Sequence, residues 1–230
     1  VITGYKLGSL LDGSYIPEPV SWVCGRFKLG TESNGGYKNI SLSNCTFMYS
    51  SGLAFEEVDQ GIMENITVSN ITMNHVHHYP IYITTGCRNR GPKERTTVST
   101  GRDIMISNMV ANDVDSLAGI IVTGMPDEPL RNITLSNIQL QFRGGGRAEL
   151  ANREYREQGK NYPEAKFAKE TPAYGLFARH VDGLEVNNVT FRTMKPEYRP
   201  AAMLVDVKNE SITNLKADLQ KGAKLIVKKK

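Results

Sequence analysis

Tryptophan occurs once in this chain of 230 residues, histidine four times and cysteine three times. Cys24, Cys45 and Cys87 are an odd number without metal-ligand spacing, which excludes a disulfide framework and a thiolate zinc centre. Cys45 reads as a small core residue, and Cys24 and Cys87 as free thiols. No apolar run approaches the roughly 18 residues of a membrane helix, so no membrane span is expected. A basic-then-apolar leader is also missing. Charge of one sign is not in excess: the net charge is +4, and Lys228, Lys229 and Lys230 supply three of those charges. A terminal lysine run reads as a solvated end, so no nucleic-acid partner is implied. The opening VITGYKLG reads as the end of a coil already under way, and residues upstream are expected.

What the chain does have is a repeat. The phrase apolar, any, apolar, polar, asparagine appears as Ile40–Asn44, Ile66–Asn70, Ile104–Asn108, Ile133–Asn137 and Leu184–Asn188. A sixth copy, starting at Ile212, is degenerate and carries Lys216 where the asparagine should fall. The steps between leading residues are 26, 38, 29, 51 and 28. Three of them define a unit of roughly 26 to 29 residues, which cannot bury its own apolar face and must stack on its neighbours. The longer steps carry insertions, at 85–100 and 144–171, expected on one face of the stack.

Each phrase is followed by a second period-two alternation, as in Leu53–Glu56, Ile81–Thr84, Ile120–Thr123, Leu176–Arg179 and Met203–Asp206. Two short strands per turn with little room for a helix predict an all-β parallel β-helix. Successive strands would lie about 4.8 Å apart, with the asparagine amides hydrogen-bonded in a ladder. A leucine-rich horseshoe is the rival, because LRNITLSNIQL fits its template. It would need a helix or 3₁₀ segment to return the chain. The sequons at Asn65 and Asn132 follow from the repeat itself.

Stacking makes side chains distant in sequence into vertical neighbours. If Leu53 and Phe55 point inward, Ala54 and Glu56 point outward. Subtracting 26 puts Lys28 under Ala54 and Arg26 under Gly52, while Tyr82 falls in the same outward column. Arg26, Lys28, Glu56 and Tyr82 would then share an exposed patch able to hold an acidic sugar: cations for a carboxylate, a ring for the sugar face. Alternating charges of this kind also describe a merely solvated strand. Arg88 and Arg90, in the loop RNRGP, hang from the same edge as further substrate-binding candidates. Of the acids Glu56, Glu57 and Asp59, only Glu56 faces that patch; Glu57 should turn inward or mark a bend. His75, His77 and His78 sit in a turn without a carboxylate or cysteine at ligand spacing, so no metal is assigned. Asp12, followed by glycine, reads as a turn.

Gly30-Thr31-Glu32-Ser33-Asn34-Gly35-Gly36 and Asn44-Cys45-Thr46 resemble the polygalacturonase family, glycoside hydrolase family 28. Gly52–Met73 and Pro172–Phe191 extend that resemblance over most of the chain. It implies a right-handed β-helix, here a single domain of about six or seven coils. It also implies cofactor-free, inverting hydrolysis of galacturonate-containing, pectin-type polysaccharide by a secreted or periplasmic enzyme. The family's aspartate motifs have no counterpart here and are expected upstream of Val1. Its histidine would fall at Gly25, and its Arg and Lys at Ala54 and Glu56. Glu56 is therefore the one catalytic candidate within the chain. The insertions would wall one end of a groove and favour exo cleavage. A non-catalytic carbohydrate-binding β-helix and a polysaccharide lyase are the alternatives.

Overall fold

The computed structural model describes residues 1–3, 26–94, 97–117, 119–164 and 170–230. Asp12, Cys24 and Gly25 lie outside the described residues. The strands of the first half are β1 (Ile2–Thr3), β2 (Phe27–Leu29), β3 (Tyr37–Ser50), β4 (Leu53–Glu57), β5 (Ile62–Val76), β6 (Ile81–Thr85) and β7 (Thr100–Val114). β8 (Ile120–Thr123), β9 (Leu130–Phe142), β10 (Leu176–Thr193), β11 (Ala202–Lys208), β12 (Ser211–Ala217) and β13 (Ile226–Lys229) follow.

All pairings are parallel, and each strand pairs with its counterpart one rung away. β3, β5, β7, β9 and β10 form a stack of long strands. β2, β4, β6, β8, β10 and β11 form a second stack. β10 runs through the corner between the stacks and belongs to both. The architecture is an all-β parallel solenoid. Among the described residues the only helical segment is a 3₁₀ turn, Ala148–Asn152, within the second insertion. Among the described residues no helix returns the chain between rungs, which removes the horseshoe.

The asparagines explain how a strand turns a corner without ending. Asn44, Asn70, Asn108, Asn137, Asn188 and Asn214 all have φ between 52° and 56°, the left-handed region that asparagine tolerates better than other side-chain-bearing residues. A second left-handed column stands five residues earlier, at Asn39, Asn65, Asp103 and Asn132. A third, at Tyr49, His75 and Asp113, stands five residues later. Each such residue bends the chain and displaces the alternation by one. The inward residues of β5 are accordingly Met63, Ile66, Val68, Ile71, Met73 and Val76, all buried, with gaps of 3, 2, 3, 2 and 3.

The asparagines of the main column also bond to one another. Asn70 Nδ2 donates to Asn44 Oδ1 at 3.1 Å, Asn108 to Asn70 at 3.3 Å and Asn137 to Asn108 at 3.1 Å. Asn188 donates to Asn137 at 2.8 Å and Asn214 to Asn188 at 2.9 Å. The sixth copy of the repeat is therefore two residues away from its expected place. Val186 pairs with Ile212, so Glu210 takes the leading position and Asn214, not Lys216, completes the ladder. The sequon asparagines serve the neighbouring column: Asn65 Nδ2 donates to Asn39 and Asn132 Nδ2 to Asp103.

Inside the coil, residues of one type stack on their own kind. Ile40, Ile66, Ile104, Ile133 and Leu184 form one column, and Phe27 meets Phe55 edge-on with centroids 6.2 Å apart. Cys45 packs half-buried against this core instead of within it: its counterparts Ile71 and Met109 one and two rungs along are buried, but β3 is the outermost long strand among the described residues, with only β1 beyond it. The insertions leave where the long steps placed them. Gly86 N–H···O Glu57 (3.0 Å) and Thr100 N–H···O Gly61 (3.1 Å) bracket the first. Arg143 N–H···O Val114 and Ile120 N–H···O Gly175, both 2.8 Å, hold the rungs around the second. Its base is fastened by Arg199, 1% exposed, which binds Glu197 and donates to the carbonyls of Ser116, Leu117 and Thr171.

Asn137 sits mid-ladder with two amide bonds, each worth about 1 kcal/mol, in a conformation that costs alanine roughly 1 to 2 kcal/mol. Asn137→Ala should therefore lower the unfolding free energy by about 3 kcal/mol, read from urea denaturation. Asn137→Gly, which keeps the backbone conformation and loses only the ladder, should cost clearly less.

Candidate functional site

The register places Lys28, Ala54, Tyr82, Ile121, Phe177 and Met203 in one outward column of the second stack. Sequence reasoning makes this column a solvent-facing patch; in the structure most of it is buried. Ala54, Tyr82, Ile121, Phe177 and Met203 form a second apolar cluster with Tyr79, Tyr155 and Ala173. The cause is the second insertion, which lies across the face. Tyr155 packs on Phe177 with centroids 4.9 Å apart, and Tyr82 Oη donates to Gln158 Oε1 at 3.3 Å. The two insertions also meet, Cys87 N–H donating to Gly159 O at 2.8 Å. Both therefore gather on one face, as their spacing predicts. Arg179, at the start of the corner in β10, donates to the carbonyls of Tyr155 and Arg156. His180 lies between Asp206 (Nδ1···Oδ2 2.7 Å) and Glu157 (Nε2···Oε1 3.3 Å), tying the insertion to the next rung.

The polar end of this face holds the predicted cations and the predicted acid. Lys28 Nζ lies 2.7 Å from Glu56 Oε2 and 3.2 Å from Glu164 Oε1. Arg26 also binds Glu164, and its Nη1 donates to Tyr79 Oη at 2.8 Å. Tyr162 closes over them, its ring centroid 5.8 Å from Lys28 Nζ and 5.9 Å from the Arg88 guanidinium. Its hydroxyl is 3.0 Å from Thr31 Oγ1. Gly30 gives Glu56 its room: with φ 121°, a Cβ there would stand 2.8 Å from the Glu56 carbonyl oxygen.

Glu56 is fully enclosed, and Lys28 approaches it out of hydrogen-bond alignment, so neither carboxyl oxygen is hydrogen-bonded among the described residues. Burial raises its pKa to about 7; the Lys28 charge opposes the shift without cancelling it. Burial also works against ionisation of Glu164, yet the hydrogen bond and charge of Arg26, joined by Lys28, hold that carboxyl below its ordinary range. Two carboxyl groups on either side of one ammonium thus have their pKa values pushed in opposite directions.

The remaining acids are structural. Glu57 marks a bend, as expected, its Oε1 accepting from Asp59 N–H at 3.1 Å and Gly61 N–H at 2.9 Å. Asp59 receives Arg88 on both oxygens and the Arg90 N–H at 3.0 Å. Arg88 is buried in that fork, and only the Arg90 side chain reaches solvent. His75 stacks on Tyr49, centroids 4.2 Å apart, and bonds Asp113. Among the described residues no group of three or more His, Cys, Asp or Glu is placed to hold a metal ion.

Arg26, Lys28 and Glu56 are thus brought together, Tyr82 lies further along the same covered face, and Arg88 and Arg90 stand beside Tyr162 and Asp59 respectively. Sequence reasoning missed Glu164, Tyr162, Gln158 and Tyr155. All four lie in the second insertion, which has no repeat to set its register; its tyrosines and acids were the only signal. Compared with known proteins, the chain matches no family model, no curated protein and no solved structure.

The folded chain keeps the Glu56 proton up to about pH 7, whereas the unfolded chain releases it near 4.5. The folded form binds more protons in between, so this group's contribution to stability is complete below pH 4.5 and is lost as pH rises through about 7. The loss is on the order of 3 kcal/mol. Glu56→Gln should flatten the fall in Tm between about pH 5 and 8. Arg88→Met, leaving Asp59 charged and enclosed, should destabilise by about 3 kcal/mol or more in chemical denaturation.

Proposed function

We propose that this chain acts on galacturonate-containing, pectin-type polysaccharide as a hydrolase of the polygalacturonase type, built as a right-handed β-helix of about six or seven coils. The observation that carries the reading is the Glu56 carboxyl, fully enclosed 2.7 Å from the Lys28 ammonium, where burial raises its pKa to about 7. A general acid needs a proton at working pH, and a uronate substrate needs cationic partners for its carboxylate. Arg26 and Lys28 bind that carboxylate, Tyr79 and Tyr82 offer aromatic faces, and Glu56 protonates the departing glycosidic oxygen. A second carboxylate activates the attacking water, giving inversion. The site is reached when residues 155–164 of the insertion move aside, since Glu164 and Tyr162 lie against the Lys28 ammonium that contacts Glu56.

That enclosure favours a second reading, a non-catalytic carbohydrate-binding solenoid. One assay separates the possibilities. Incubation with polygalacturonate should release reducing ends without ultraviolet-absorbing unsaturated product, and Glu56→Gln should lower kcat by about a hundredfold. Binding without new reducing ends would leave the binding solenoid. Absorbing product would mean a lyase.

A further inference from the structure

The cations assigned to substrate are already occupied by a group from the chain's own insertion. Glu164 is separated from Arg26 by 138 residues in sequence and from Lys28 by 136, and its carboxylate touches both. The side chains of all three are mostly buried, at 14%, 17% and 8% exposure for Arg26, Lys28 and Glu164. The surroundings suit a sugar acid better than a simple structural ion pair requires. Tyr162 lies over the Lys28 ammonium, Tyr79 accepts from Arg26, and Gly30 clears the floor at Glu56. Among the described residues, Glu164 is the carboxylate that Arg26 and Lys28 share. Remove Glu164 and the pocket needs a carboxylate again.

We propose that Glu164 is an internal stand-in for a uronate carboxylate, so that residues 155–164 cover the site until an acidic sugar displaces Glu164 from Arg26 and Lys28. This rests on the reading of the cluster as a uronate site, and adds that the free protein is self-blocked. The ligand replaces one carboxylate by another on the same donors, which limits its net gain to the difference between the two. Displacement also detaches Tyr162 and Gln158 from Thr31 and Tyr82, uncovering Glu56.

Two measurements test the proposal. Trigalacturonate titrated into the Glu164→Gln protein by calorimetry should bind about tenfold more tightly than to wild type. The gain should vanish in Arg26→Met/Glu164→Gln, and a neutral galactan trisaccharide should show none. In the wild-type chain, which avoids any folding defect of the variants, trigalacturonate should speed amide hydrogen exchange in residues 155–164 while the neutral trisaccharide does not. Unchanged or weaker binding by Glu164→Gln, or equal exchange with both sugars, overturns the proposal. The functional reading fails separately: tight trigalacturonate binding with no hydrolysis by any form would sink the hydrolase and leave the self-blocked site standing. Hydrolysis by the wild type with no effect of Glu164→Gln would do the reverse.

Discussion

A residue with φ near +55° at each corner is the constraint from which the rest of the molecule follows. An L-residue in that conformation is strained unless it is glycine or a short polar side chain, so the first two corner columns are filled mainly by asparagine, while the third also takes Tyr49 and His75. The outward asparagine amides then stand one rung apart and bond vertically, which ties corner to corner. Because each corner shifts the alternation by one residue, the same constraint decides which side chains reach the core. The spacing of Met63, Ile66, Val68, Ile71, Met73 and Val76 is its direct result.

With the register fixed by the corners, each side chain of the second stack is assigned to the core or to the outer face. The outer column, Ala54, Tyr82, Ile121, Phe177 and Met203, is too apolar to stay wet. A single layer of coil cannot cover it, and the second insertion does. The enclosed charges follow from that cover. Once Tyr155, Gln158 and Tyr162 lie over the face, Lys28, Glu56 and Arg88 lose water and survive by pairing. Glu56, whose carboxyl oxygens accept no aligned hydrogen bond among the described residues, has its pKa raised to about 7.

Repetition made the fold legible in the sequence. The phrase ending at Asn44, Asn70, Asn108, Asn137 and Asn188 contains the corner itself, so its period reported the rung, and Lys28 beneath Ala54 followed by subtraction. The sixth copy was misplaced because Glu210 stands where an apolar residue was sought, while Ile212 fits the template two residues late. The columns at Asn39 and Tyr49 escaped notice because the third mixes Tyr, His and Asp, whose shared property is a conformation and not a chemistry. The site was half legible for the same reason. Arg26, Lys28 and Glu56 lie on repeating strands, whereas Glu164 and Tyr162 lie in a segment whose path only tertiary contacts determine. Exposure was misjudged because alternation separates inside from outside and says nothing of a second layer.

The cover also couples geometry to acidity. Desolvation is the largest cause of the raised Glu56 pKa, and the Glu164 charge carried by the insertion pushes in the same direction. Water returning to the cleft would lower the pKa towards 4.5 and strengthen the acid, while the nearby cations favour the carboxylate that remains. In the proposed reaction, displacement of Glu164 would therefore do more than clear a path. The proton stored while the site is closed becomes easier to give once a sugar acid has opened it, so one carboxylate arriving at Arg26 and Lys28 prepares the other to act.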